Sequence, residues 1–189
     1  MPGASYAYLL GVYPGDGYIA ELERTCALRV FCDSRYPRII REITGAIRAI
    51  LPAYSVAVKK DPVQNVTRLI TNYRWWPVLF PQHGPGRKHE REISLESWQR
   101  EITERHPESL IRGLIHSDGC RVVATIRKGK KRYRYSRYYF ANRSADIKEI
   151  FCDHLDLLEI SWTRSSQKDI QVARREAVEA LDGFVGRKR

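Results

Sequence analysis

Apolar residues recur at helical spacing over residues 37–51, where isoleucines form one face and arginines the other. A helix of mainly apolar residues is predicted before it, over 6–15, and Gly15, Asp16 and Gly17 are residues that end helices. Alternating apolar and polar residues after each helix predict strands: a hairpin over 18–33 that turns near Arg24 and Thr25, then strands over 54–59 and 65–73. The first half of the chain is therefore predicted to be helix, hairpin, helix, hairpin.

The second half repeats this order of elements. Its pattern predicts helices over 107–117, 145–158 and 174–185, with strand pairs 119–127 and 133–141, then 160–164 and 170–173. Residues 81–106 are rich in Pro, Gly, His, Glu and Arg, which is typical of a linker, and they hold a short predicted helix over 95–104. We therefore expect an α/β (α+β) chain of two pseudo-symmetric αββαββ repeats, residues 1–80 and 107–189, joined by this linker.

One short motif occupies the same place in both halves. When the two halves are aligned, the first has Gly11, Asp16 and Gly17 where the second has Gly113, Asp118 and Gly119. A glycine inside a helix costs about 1 kcal/mol relative to alanine, so its presence in both helices predicts that their backbones cross closely. The crossing would bring together two helix ends that are already partly negative, and each aspartate adds a full charge there. We therefore expect cations between the two acids.

Carboxylate and carbonyl oxygens are ligands that suit Mg²⁺, which water and phosphate oxygens would complete. Two such ions beside a phosphodiester would activate a water and stabilise the departing oxyanion.

Residues 9–17 and 110–119 resemble the paired LAGLIDADG motif of homing endonucleases. The resemblance implies a saddle of antiparallel strands in the major groove of DNA, helices on the other face, and metal-dependent hydrolysis of both strands across the minor groove. It implies Asp16 and Asp118 as metal ligands, with Gly15 and Ser117 supplying nearby oxygens. The family places polar and basic residues just before the helix that follows the second strand, which implies catalytic roles for Arg35, Asn142 and Arg143, with Ser34 as a further candidate.

The charge of the chain indicates a polyanionic partner. Its 189 residues include 33 Lys and Arg against 22 Asp and Glu, a formal net charge of +11. Basic residues interleaved with aromatic ones are concentrated in 127–137, which is either a solvated hairpin tip or a surface for phosphates and base edges. We expect double-stranded DNA to contact Arg24, Arg29, Arg127, Lys128, Lys130, Lys131, Arg132, Arg134 and Arg137.

Pro14 departs from a regular motif helix. It removes a hydrogen bond to the Leu10 carbonyl, so the sequence predicts a displaced Asp16. This departure favours an alternative, a non-cleaving DNA-binding transcriptional regulator on the same fold. A third possibility is an intron RNA maturase, since the resembled family includes such proteins.

The remaining candidates are assigned more modest roles. His83, Lys88 and His89 are predicted to be structural or to contact the DNA backbone, and one of Lys59, Lys60 and Lys168 to be an additional catalytic lysine. The four tryptophans are predicted to pack inside the protein, and the four cysteines to be reduced, buried or half-buried thiols. The sequence contains no signal peptide or membrane segment, so we expect a cytoplasmic protein, associated with the nucleoid. We also expect it to be a monomer.

Overall fold

The structure is a computed structural model that describes residues 1–129, 131–186 and 188. Its first half contains α1 (Gly3–Asp16), β1 (Gly17–Glu21), β2 (Cys26–Asp33), α2 (Pro37–Ile50), β3 (Ala57–Lys60) and β4 (Val66–Asn72). A short helix α3 (Trp76–Leu79), a 3₁₀ turn (Lys88–Glu90) and α4 (Ser97–Arg105) follow. The second half contains α5 (Pro107–Asp118), β5 (Gly119–Lys128), β6 (Lys131–Ala141), α6 (Ala145–Leu157), β7 (Thr163–Arg164), β8 (Asp169–Val172) and α7 (Arg175–Phe184). The predicted αββαββ order is confirmed in both halves.

Each half forms a four-stranded antiparallel sheet, with strand orders β1-β2-β4-β3 and β5-β6-β8-β7. One face of each sheet packs on helices, as shown by the buried side chains of Leu28 and Val30 in the first sheet and of Tyr138 and Phe140 in the second. In the second half, the rings of Phe140 and Phe151 stack with centroids 4.4 Å apart and join β6 to α6. The opposite face of each sheet is left open.

Helices α1 and α5 pack against each other at the centre of the molecule. A Cβ atom on Gly11 would lie 2.9 Å from the Leu114 nitrogen, and one on Gly113 would lie 2.9 Å from the Val12 nitrogen. Real Cβ atoms essentially never approach other heavy atoms more closely than 3.0 Å, so only glycine permits this backbone contact. The close crossing predicted from the two mid-helix glycines is present.

A buried polar network joins the crossing helices to α2. The Tyr8 hydroxyl donates to His116 Nδ1 at 2.9 Å, and the other ring nitrogen of His116 lies 3.2 Å from the Val185 carbonyl. Arg112 of α5 pairs with Glu42 of α2 at 2.7 Å. Burial lowers the pKa of His116 to about 4, so its ring is neutral at physiological pH and can accept from the tyrosine.

The packing predictions are wrong for three residues. Trp76 is fully buried, whereas its neighbour Trp75 is 49% exposed, with the Arg74 guanidinium 4.8 Å from its ring centroid, and Trp98 is 37% exposed. Cys120 is exposed, although a buried or half-buried thiol was expected there, because it lies on the open face of β5. Among the described residues, the helices are too short or too polar to span a bilayer.

Candidate active site

The two motif aspartates end the two crossing helices. Asp16 is the last residue of α1 and Asp118 the last residue of α5. A Cβ atom on Gly15 would lie 2.7 Å from both Cγ and Oδ1 of Asp118, so the last turn of α1 packs directly on the acid of the other helix. Helix α1 continues through Pro14 to Asp16, so this proline does not end the helix.

Burial raises the pKa of both acids, and the negative charge of Asp118 raises that of Asp16 further. The pKa of Asp16 is raised to about 7, first by desolvation and then by the negative charge of Asp118. Desolvation also raises the pKa of Asp118, while a hydrogen bond from Asn142 lowers it. In that bond the Asn142 side-chain amide donates to Asp118 Oδ2 at 2.7 Å. A cation placed at the pair would favour the ionised form of both carboxylates.

The other predicted site residues are arranged less uniformly. Asn142 contacts the acid pair, whereas the exposed Arg35 forms an ion pair with Asp33 at 2.6 Å. Arg143 is exposed at the start of the loop before α6. The Ser34 hydroxyl lies 2.8 Å from the Thr67 hydroxyl, and the Ser117 hydroxyl donates to the Leu114 carbonyl at 3.0 Å. The hydrogen of the Ser117 hydroxyl is thus used within its own helix.

The donor set of this site suits a hard divalent cation. Within residues 1–129, 131–186 and 188, no group of three or more His, Cys, Asp or Glu side chains is arranged to hold a metal ion. A metal at the two acids would therefore take its remaining ligands from helix-end carbonyls, water and phosphate oxygens. Mg²⁺ commonly binds through one or two carboxylates and completes its octahedron with water and substrate phosphates, so the residues present fit this ion.

The open sheet faces combine basic and aromatic side chains. Strand register places Tyr18, Arg29 and Phe31 on the open face of the first sheet, and Tyr133, Tyr135 and Arg137 on that of the second. In the described part of the chain, the Nε atoms of Arg29 and Arg137 are buried without a hydrogen-bond partner. A ligand on these faces would supply acceptors for these two Nε–H groups.

The β5–β6 hairpin carries a second set of cations. Arg127, Arg132 and Arg134 are exposed on the face opposite to Arg137, and the exposed Lys131 lies at the start of β6. Arg24 is exposed in the turn between β1 and β2. Lys130, together with the side chain of Lys128, lies outside the described residues.

Comparison with known proteins gives matches in structure alone. No protein-family model matches the chain, and no curated protein sequence matches it. The structure of I-DmoI in complex with DNA and Mn aligns with TM-score 0.62 and 14% identity, over 97% of this chain and 97% of that one. I-AabMI bound to uncleaved DNA aligns with TM-score 0.57 and 10% identity, over 95% of this chain and 82% of that one. I-WcaI bound to its DNA recognition sequence gives TM-score 0.54 and 13% identity, over 97% and 80% of the chains.

This chain has the LAGLIDADG homing-endonuclease fold. The likeness confirms the predicted fold class over nearly the whole chain.

Within this homing-endonuclease fold, a lysine side chain reaches the end of each motif helix. Lys88 Nζ donates to the carbonyls of Tyr13, Pro14 and Gly17, at 3.1 Å from Pro14 and 2.5 Å from Gly17. Lys188 Nζ donates to the Ser117 carbonyl at 3.4 Å. Both positive charges lower the pKa values of Asp16 and Asp118. Burial in turn lowers the pKa of Lys88 to about 8.

Sequence reasoning missed these two lysines as members of the site. The sequence predicts a structural role or a contact with the DNA backbone for Lys88, and its carbonyl contacts agree with the structural role, but the sequence does not predict its position beside the acids. The available signal was the partial negative charge of a helix C-terminus, which attracts any cation. From the sequence alone, the same partial charge indicated only a metal ion at the helix ends. Lys59 and Lys60 lie instead on β3, and the Lys168 carbonyl accepts from the backbone nitrogen of Asn142 at 3.1 Å.

Proposed function

We propose that this chain is a site-specific endonuclease that hydrolyses both strands of duplex DNA with a divalent cation, Mg²⁺. The observation that carries the proposal is the pair of acids, Asp16 and Asp118, held together at the ends of two crossing helices. The open sheet faces, with their basic and aromatic side chains, provide a DNA surface. The neighbours I-DmoI, I-AabMI and I-WcaI are described as bound to DNA, and I-DmoI as bound to Mn as well, which supports the same partner and a divalent cation here.

DNA would lie across both open sheet faces. Arg29 and Arg137 would donate their unpartnered Nε groups to phosphates or base edges, because a buried guanidinium nitrogen without an acceptor is costly. Lys131, which shares the open face of β6 with Arg137, would add a further cation, and Arg24 one more from the turn between β1 and β2. In this proposal residues 1–80 and 107–189 each contact one half-site, residues 81–106 join them, and a single chain covers the target.

The chain's own residues would prepare the acid pair for metal binding. Asp16 and Asp118 would hold the metal, with the Gly15 and Ser117 carbonyls nearby, and the bound metal would supply an activated water and charge stabilisation at the phosphate. Asn142 would fix the orientation of the Asp118 carboxylate through its 2.7 Å hydrogen bond. Arg143 and Arg35, at the ends of β6 and β2, would neutralise phosphate charge. Arg35 must first exchange its ion pair with Asp33 for that contact.

Cleavage of a selected DNA target tests the proposal. Duplexes that bind the protein in Ca²⁺ are selected from a randomised library and then incubated with the protein in Mg²⁺. The native chain is expected to cut both strands, whereas Asp16→Asn and Asp118→Asn each lose cleavage by at least a hundredfold while still binding. Glu101→Gln, which removes an exposed acid on α4, is the matched control and should cut like the native chain. Cleavage that survives both aspartate substitutions would remove the proposed chemistry.

One observation favours a second candidate, a DNA-binding regulator that does not cleave. Lys88 and Lys188 place two positive charges beside the acids and so partly neutralise them without any metal. This function predicts tight, sequence-selective binding in EDTA and intact DNA in Mg²⁺, Mn²⁺ and Co²⁺. The endonuclease predicts cut DNA in at least one of these metals.

A further inference from the structure

A groove on the helical side of the second half has strongly acidic walls. It encloses about 730 Å³ between the segment that leads into α4, α4 itself, and α6. One cation, Arg100, whose Nε donates to the Leu95 carbonyl, lines it together with six carboxylates: Glu92, Glu104, Asp146, Glu149, Asp153 and Asp156. The four on α6 follow one another at intervals of three or four residues, which places them on one face of the helix. In a chain with a net charge of +11 this concentration of negative charge needs a reason.

Internal contacts explain only part of this cluster. Asp146 accepts from the backbone nitrogen of Ile93 at 2.8 Å, and Asp156 accepts from the Trp162 indole at 2.7 Å. Across the described ranges, Glu92, Glu104, Glu149 and Asp153 form no ion pair within 4.0 Å. Like charges in one groove repel one another, so a cationic ligand would relieve that repulsion.

His154 provides an independent sign of a missing donor. His154 is one of the residues that line the groove, and it is only 6% exposed. Nδ1 lies 2.7 Å from the Ile150 carbonyl, which can only accept, so Nδ1 carries the hydrogen. Nε2 is then an acceptor in the neutral ring, and it is buried without a hydrogen-bond partner in the part of the chain that the structure describes. The groove therefore combines unpaired carboxylates with an unpaired neutral acceptor.

We propose that this groove binds a segment of a partner protein that carries arginine or lysine next to apolar side chains. The ligand needs a cation because the groove is lined by unpaired carboxylates, and a hydrogen-bond donor on it would satisfy His154 Nε2. The apolar part follows from the rest of the lining, where Ile93, Leu95, Ile150 and Leu157 stand among the acids and Leu157 is 54% exposed. A small polyamine would leave this apolar surface in water, whereas a peptide covers it. The proposal is independent of DNA cleavage.

Peptide binding to the full chain tests this site. The probe is a fluorescein-labelled peptide of three Arg-Leu pairs separated by glycines, measured by fluorescence anisotropy. Saturable binding is expected, and Glu149→Gln/Asp153→Asn should weaken it about five- to tenfold, since each exposed charge pair contributes modestly. The control Glu23→Gln/Glu176→Gln removes the same charge from exposed acids outside the groove and should leave the affinity within twofold. His154→Phe should weaken binding about threefold. If that variant is unstable, the double variant of the exposed Glu149 and Asp153 remains the test of the site.

Several results would overturn the proposal. These are no saturable binding, an equal loss in the control variant, and equal binding of a peptide with glutamine in place of arginine. Spermine that binds as tightly as the peptide and displaces it would assign the groove to small cations instead. A peptide with glycine in place of leucine should bind at least threefold more weakly, and equal affinity would likewise contradict an amphipathic ligand.

Discussion

Replacing the mid-helix glycine of the first motif by alanine tests the close helix crossing. In Gly11→Ala the new methyl group would lie 2.9 Å from the Leu114 nitrogen and 3.0 Å from Gly113 Cα, both of them backbone atoms. Backbone cannot rotate away as a flexible side chain does, so the helices must separate. Overpacking costs about 1–3 kcal/mol, and a clash with backbone belongs in the upper part of that range, about 2–3 kcal/mol, against about 1 kcal/mol gained because alanine favours a helix. We expect a net destabilisation of about 1–2 kcal/mol.

Gly45→Ala is the matched control, because a Cβ atom on Gly45 of α2 would meet no heavy atom within 4 Å. This substitution should stabilise the protein by about 1 kcal/mol. The two variants should therefore differ by about 2–3 kcal/mol, or roughly 4–12 °C in Tm for a domain of this size. Urea unfolding followed by circular dichroism gives the free energies, and unchanged m-values would show that both native states stay compact. If Gly11→Ala is as stable as Gly45→Ala, the backbones do not touch as described.

Three further predictions concern the acid pair and the DNA surface. Because the pKa of Asp16 is about 7 in the folded protein and 3.8 in the reference state, its protonated form stabilises the fold, and that contribution is lost as pH rises from about 4 to 7. Asp16→Asn should therefore be more stable than the native chain at pH 8, by about 1–3 kcal/mol in urea unfolding, with little difference at pH 4. Lys88→Met should destabilise the protein by about 1–3 kcal/mol at pH 7, since three helix-end carbonyls lose their donor, while the exposed Lys59→Met changes little. Lys131→Ala, on the open face of β6, should lower the slope of log K against log salt by about 0.9 if it contacts one phosphate, and an unchanged slope would exclude that contact.

The order of helices and strands follows from the sequence because each element carries its own period. The isoleucines of α2 recur at helical spacing, and Pro37 stands at its first turn, so the predicted helix agrees with the observed Pro37–Ile50. The crossing of α1 and α5 was also predictable, since two glycines at matching positions have a cost that only a close approach offsets. In both cases the physical cause lies within a few residues of sequence.

The composition of the site was predictable only in part. Asn142 follows its strand directly, and the resemblance to homing endonucleases, rather than any local pattern, implied a role for it beside the acids. Lys88 and Lys188 reach the helix ends from segments 72 and 70 residues away from the respective acids, Asp16 and Asp118, and no local pattern reports such a contact. The acidic groove could not be predicted from local sequence either, because it forms only where tertiary packing brings α6 against the linker.

Anomalous scattering from Mn²⁺ in crystals of the protein with a selected DNA duplex would locate the metal ion. We expect manganese between the carboxylates of Asp16 and Asp118, within bonding distance of both acids and of a DNA phosphate oxygen. Manganese bound to only one acid, or to neither of them while DNA occupies the open sheet faces, would contradict this expectation.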